Sequence, residues 1–200
     1  MSVRRQISDS DGIFSITFTC CNWIPLIEIV NGYDIVYKQF DYLKSCGHHI
    51  VGYTIMPNHL HAVIAFCNTG KSINSIIGNI KRFMAYDIVE RLKQLQREDI
   101  LLQLKQGVNS TEKKKGQLHK VFETSFDAKH CYDEKMILQK LNYFHNNPCT
   151  GKWELADSPL NYIHSSAKYY LTGEQGIYPV TSYRLLQDMD LTVLQKARQQ

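Results

Sequence analysis

His59 and His61, in the string Ile55-Met56-Pro57-Asn58-His59-Leu60-His61, are the two residues of this chain best placed by type and spacing to do chemistry. Side chains on a strand alternate between faces, so two imidazoles two positions apart project from one side and Leu60 from the other. Leu60, Ala62, Ile64 and Phe66 continue that other side as an apolar anchor. Two neutral nitrogen donors on a rigid strand suit a divalent cation. By itself the pair is a weak signal, because histidines are also ordinary surface residues. It needs further groups brought in from elsewhere in the chain.

The surrounding elements follow from pattern. Ile50–Ile55 is rich in β-branched and aromatic residues, and Met56-Pro57-Asn58 is a turn, so the histidines open the second strand of a hairpin, 59–66. Upstream, 13–20 reads as a strand with Phe14, Ile16, Phe18 and Cys20 on one face, ended by Asn22-Trp23-Ile24-Pro25. A helix from Asn31-Gly32 to about Cys46 carries Tyr33, Val36, Phe40 and Leu43 at helical spacing, and Gly47 ends it. Downstream, Ser72 caps a helix to about Leu92 whose stripe is Ile73, Ile76, Ile77, Ile80, Met84 and Ile88. Lys81 and Arg82 in its middle form either a solvated face or phosphate contacts. Leu95–Leu104 prolongs this helix or makes another. The segment 107–116 reads as an exposed, mobile loop, with Lys113, Lys114 and Lys115 serving solubility or DNA contact. His119–Phe126 is expected to be a fourth strand. The fold class is therefore α+β: a ferredoxin-like βαββαβ antiparallel sheet, in which the first and third strands are central.

A last helix is expected from Lys135 to about Asn147, capped by Asp133, with Ile137, Leu141 and Phe144 as its buried stripe. Tyr143 falls at the flank of that stripe, and Asn147 lies four residues on, on the same side. Pro148 stops the helix by pushing Asn147 out of the α region. Asn147 is then either a side chain aimed at the histidines or a helix-terminal cap.

The string Ile-Met-Pro-Asn-His-Leu-His followed by an apolar strand resembles the HUH motif (histidine, hydrophobic, histidine) of the single-tyrosine transposases, which include the REP-associated tyrosine transposases. Tyr143-Phe144-His145-Asn146-Asn147-Pro148 looks like the family's second signature, Tyr-Ile-His-x-Asn-Pro. Tyr162–Ala167 is similar to a Ser-Ser stretch that follows the family's helix. The resemblance runs from Ile13 to about Tyr170, with departures at Phe122, often tryptophan in the family, and at Cys149, often valine. It implies that Tyr143 is the nucleophile and that His59, His61 and Asn147 bind a divalent metal, Mg²⁺ or Mn²⁺. The implied substrate is single-stranded DNA beside a short hairpin, cleaved and rejoined through a 5′-phosphotyrosine.

Composition sets wider bounds. A net charge of +4 permits nucleic-acid binding without requiring it. No run approaches the ~18 apolar residues of a membrane span, and the opening residues 1–6 lack the apolar core of a signal peptide. The six cysteines include no C-x-x-C pair and suit reduced thiols in a cytoplasmic protein. One domain is expected over 1–200, with an insertion at about 93–118 and an extension at about 171–200. In that extension Leu185, Leu186, Leu191 and Leu194 are expected to form a helix that packs on the core or on a second copy in a homodimer. Two rival readings stand beside the transposase: a non-catalytic nucleic-acid-binding module of the same strand order, and a metal-dependent phosphodiesterase that uses water.

Overall fold

The computed structural model describes residues 7, 9–151 and 153–194. Four strands, β1 (Gly12–Thr19), β2 (His49–Met56), β3 (His59–Phe66) and β4 (Asp127–His130), pair antiparallel in the order β2-β3-β1-β4. The helices in chain order are α1 (Leu26–Ile29), α2 (Tyr33–Ser45), α3 (Ile73–Gln94), α4 (Glu98–Gln106), α5 (Ser110–Lys114), α6 (Glu134–Asn146) and α7 (Ala167–Thr172). This is the expected βαββαβ frame, with β1 and β3 in the middle.

The sheet is covered on both sides. Phe14, Ile16 and Phe18 of β1 and Leu60, Ala62, Ile64 and Phe66 of β3 pack with Val36 and Phe40 of α2 and Ile77, Ile80 and Met84 of α3. On the opposite face Val51, Val63 and Ala65 meet Ile137, Leu141 and Phe144 of α6. Every residue of β3 is therefore buried. The alternation holds, with Leu60 on the α2–α3 side, but the histidine side is roofed by a helix rather than by water.

Four local expectations are corrected. The fourth strand is Asp127–His130, paired with Phe14–Thr17, and not His119–Phe126. Within the earlier segment Val121 and Phe122 are buried and Phe122 makes one bridge to Cys20. The carbonyls of Glu123, Thr124 and Ser125 accept from the Lys81 ammonium instead of joining a ladder. The loop at 107–116 contains α5, because Asn109 and Glu112 form a reciprocal capping box, a signal legible in the sequence as Asn-x-x-Glu. Among the described residues beyond α7, only Tyr183–Leu186 is helical in the C-terminal extension, a short 3-10 turn that buries Tyr183 and Leu186. Beyond it the chain is irregular as far as Leu194, where Asn68 binds the carbonyls of Leu191 and Thr192. Finally, Pro148 does not push Asn147 out of the α region: Asn147 keeps φ −56 and ψ −41, and the chain tightens into a 3-10 turn, Asn147–Cys149.

The exposed edge of β2 is covered. Ile55 N–H donates to His164 O, Ser166 N–H donates to Tyr53 O, and the Tyr162 hydroxyl donates to Ile55 O. The Ser166 hydroxyl also lies 2.8 Å from Nε2 of His145, joining α6 to this edge. No helix among the described residues is long and apolar enough to cross a membrane, and all six cysteines are free. The expectation concerning residues 1–6 lies outside the described residues.

Candidate functional site

Four side chains that the sequence marked meet beneath α6. Nε2 of His59 and Nε2 of His61 are 3.1 Å apart. The Asn147 amide nitrogen lies 2.6 Å from Nε2 of His61. The Tyr143 ring stands 5.8 Å from the His61 ring, centroid to centroid, and is 60% exposed. Asn147 thus turns its amide toward the histidines and not back onto its own helix. The helical backbone at Asn147 is what keeps this side chain one turn beyond Tyr143 on the same side.

The second ring nitrogens decide what the first can do. Nδ1 of His59 is 2.6 Å from Oδ1 of Asn58, whose own amide nitrogen donates to Trp23 O. A carboxamide oxygen only accepts, so His59 carries its proton on Nδ1 and turns the Nε2 lone pair inward. Nδ1 of His61 lies 2.8 Å from the Thr17 hydroxyl on the neighbouring strand. With Asn147 donating to its Nε2, His61 adopts the same tautomer and donates from Nδ1 to Thr17. The Phe144 ring stacks on His61 at 4.4 Å and fixes its plane. Burial above all, then His59 and Lys140 nearby, push the His61 imidazole down to about 3, so it is a neutral donor.

Two Nε2 lone pairs facing each other at 3.1 Å do not form a hydrogen bond. That separation suits two donors at right angles around one cation at ~2.2 Å. Turning the Asn147 amide about its last bond would bring its oxygen into the same space. The donor set therefore fits a divalent cation: two imidazoles and one amide. Among the described residues no three His, Cys, Asp or Glu side chains cluster to hold a metal, so the amide is the third donor at hand.

Three contributors escaped the sequence reading. Asn58 looks there like a turn residue, Thr17 like one more polar position in a strand, and Phe144 like core. Thr17 and Phe144 act from other elements, and Asn58, though next to His59, is oriented by the distant Trp23 carbonyl, none of which local pattern reveals. The remaining marked residues lie elsewhere. Lys81, Arg82 and Lys115 line a groove of 1110 Å³ between α3 and the 112–129 segment, which includes none of the four side chains above. Lys113 and Lys114 sit on the exposed side of α5. Phe66, the late aromatic that a stacking module would present from β3, is fully buried.

No family model matches the chain. An uncharacterised protein of Haemophilus influenzae is 28% identical to it over 162 residues, 72% of this chain and 83% of that protein. Among solved structures, a REP-associated tyrosine transposase bound to a REP hairpin superposes with a TM-score of 0.60, covering 96% of this chain and 97% of that one at 12% identity. The chain has that transposase's fold. A candidate transposase of Deinococcus radiodurans aligns over 72% of this chain and 97% of that one with a TM-score of 0.41 and 13% identity.

Proposed function

We propose that this protein is a metal-dependent endonuclease and strand transferase for single-stranded DNA, of the transposase type, with Tyr143 as nucleophile and His59, His61 and Asn147 as metal ligands. The observation that carries the reading is the convergence of two strings more than eighty residues apart. The Asn147 amide reaches Nε2 of His61, and Tyr143 stands one helical turn before it. Mg²⁺ or Mn²⁺ held by these donors would supply positive charge at the phosphate, and imidazole favours Mn²⁺.

The chain's own residues do the rest. The Tyr143 oxygen forms a bond to phosphorus, the bond from phosphorus to the 3′-oxygen breaks, and the 5′-phosphate remains on the tyrosine. The phenol proton passes to solvent and the departing 3′-oxygen takes one up, so the exchange of esters is balanced. Its exposure gives Tyr143 access to both strand and solvent. A free 3′-hydroxyl reverses the step on another strand, which needs no ATP because the ester bond is conserved. Asn58, Thr17 and Phe144 hold the imidazoles in one tautomer and one plane. Arg82 and the lysines of the α5 region would meet DNA backbone, including a hairpin such as the one bound by the structural neighbour.

Mixing the protein with end-labelled single-stranded DNA and Mn²⁺, then denaturing, tests the reading. A covalent adduct lost in Tyr143→Phe supports it. Cleavage without adduct indicates a water-using phosphodiesterase, and binding alone indicates the non-catalytic module. If Tyr143→Phe still forms adduct, the exposed Tyr132 is the first alternative nucleophile.

A further inference from the structure

One feature at the edge of the site belongs to neither motif. Asn22 and Trp23 follow one another with φ of 53 and 58, the left-handed region that side-chain-bearing residues rarely adopt. The segment is tied on three sides. Asn22 N–H donates to Glu123 Oε1, Trp23 N–H donates to Cys20 O, and Trp23 O accepts from the Asn58 amide. Strain of this kind persists only where surroundings over-determine it, and it gathers at functional positions. Its result here is a tryptophan ring left 59% exposed and standing edge-on to His59, at 6.0 Å between centroids. Tyr143 stands against His61 at 5.8 Å. The two exposed rings thus flank the histidine pair, one against each imidazole.

We infer that Trp23 is the stacking platform for the DNA base immediately 5′ of the cleaved phosphate. The inference rests on the proposed transesterification and adds to it a polarity. In a phosphoryl displacement the attacking and leaving oxygens lie roughly in line through phosphorus. With the phosphate at the histidine pair and Tyr143 attacking from the His61 side, the leaving 3′-oxygen points toward the His59 side. The sugar that carries this oxygen then lies beside Trp23. Its base finds there a large, rigid, solvent-facing aromatic surface, and such surfaces bind bases of any identity. After cleavage the released 3′-hydroxyl would stay held within reach of the phosphotyrosine instead of diffusing away. Asn58 makes the platform and the metal site one unit: its amide nitrogen fixes the Trp23 carbonyl while its oxygen fixes the His59 tautomer.

Tryptophan emission supplies the test, because stacking on a base quenches the indole. The chain has two tryptophans, so Trp153→Phe leaves Trp23 as the only reporter. This protein is titrated with a dye-labelled adenine 20-mer and with an abasic 20-mer of the same length, while anisotropy reports binding. The adenine strand is expected to bind and quench, and the abasic strand to bind about tenfold more weakly without quenching. Trp23→Ala should bring adenine-strand affinity down to the abasic level, and Trp23→Phe should keep most of it. For polarity, a strand whose cut has been mapped through its adduct is remade with one abasic position. Removing the base 5′ of the cut should slow adduct formation about tenfold, and removing the base 3′ of it should not. Binding of the adenine strand without quenching, unchanged affinity in Trp23→Ala, or a stronger effect of the 3′ position would each overturn the platform while leaving the transferase standing. Quenching and base-dependent binding with no adduct on any strand would instead remove the transferase and, with it, the polarity.

Discussion

Thr17 of β1 and His61 of β3 sit directly opposite each other in the sheet, and the threonine hydroxyl lies 2.8 Å from Nδ1 of the imidazole. The register of two central strands therefore gives Nδ1 a partner and fixes the orientation of a side chain that the sequence alone marks only as half of a pair. Partners of this kind orient a ligand and raise its donor strength.

Thr17→Val keeps the shape and removes the hydroxyl. Mn²⁺ affinity is expected to fall roughly 10- to 100-fold, and adduct formation at limiting Mn²⁺ with it. Stability should change by about 1 kcal/mol, since one partly buried hydrogen bond is lost. Calorimetric titration of Mn²⁺ beside a thermal melt checks both. Unchanged affinity would mean that Phe144 stacking alone orients the ring.

Asn147→Asp separates a ligand from a bystander. The added carboxylate should tighten Mn²⁺ several-fold, yet slow adduct formation, because it opposes the incoming phosphate. In the structure the amide lies against Nε2 of His61. A variant that loses melting temperature but keeps both metal affinity and adduct rate would reduce Asn147 to a structural bond with His61.

The frame was legible because its signals are local. Strand alternation put Leu60 on the face opposite the histidines, and Ser72 and Asp133 start helices by accepting from backbone N–H groups. The strand order itself is not written in the sequence and comes only with the ferredoxin-like frame. The misread parts depend on distant partners. Nothing between 119 and 126 announces that Lys81 will occupy three of its carbonyls, so a β-like stretch fails to become a strand. The site shows the same division. The strings marked His59, His61, Tyr143 and Asn147, which the structure brings near one another, whereas Thr17 and Phe144 become visible only when β1 and α6 are laid against β3.

A pH dependence of folding is expected from His48, outside the candidate site. Its Nδ1 accepts from Cys67 N–H, and burial, followed by the charges of His49 and Lys71, pushes the imidazole down from 6.5 to about 4. The unfolded chain takes up this proton first as pH falls. The stabilisation is therefore complete above the unfolded value of 6.5, declines as pH falls, and is gone below about 4. His61 and His145 are pushed down too, so the wild-type slope is shared. His48→Asn keeps an acceptor near Nδ1 without a titrating ring, and should flatten the stability curve between pH 4 and 6.5 by about 2–3 kcal/mol over the window. Urea melts across that range decide it; parallel curves for the two proteins would refute the assignment.

Gly52 sets how closely the sheet approaches α6, the helix that carries Tyr143. It follows an irregularity in the β2–β3 pairing, where Ile50 faces Ile64 and Gly52 faces Val63, leaving Val51 as an extra residue. A Cβ at Gly52 would overlap Cδ2 of Leu141 and approach the Ser166 hydroxyl to 3.1 Å. Both neighbours are side chains packed in the interior, so the added methyl group must displace one of them. Leu141 is buried on α6 two residues before Tyr143, and Ser166 is bonded to both Tyr53 and His145. Gly52→Ala is expected to press through Leu141 against α6, and so to disturb Tyr143 and Asn147. The expected cost is about 1–3 kcal/mol of stability, together with a fall in adduct rate of tenfold or more, because small misplacements of a nucleophile are expensive. Leu141→Ala in the same chain makes room for the methyl group, and should recover Mn²⁺ affinity and adduct rate even though the cavity it adds elsewhere keeps the melting temperature low. Recovery of activity without recovery of stability would show that the close approach at Gly52 sets the position of α6. If Gly52→Ala lowers the melting temperature but leaves the adduct rate intact, the Asn147–His61 contact holds the helix in place by itself.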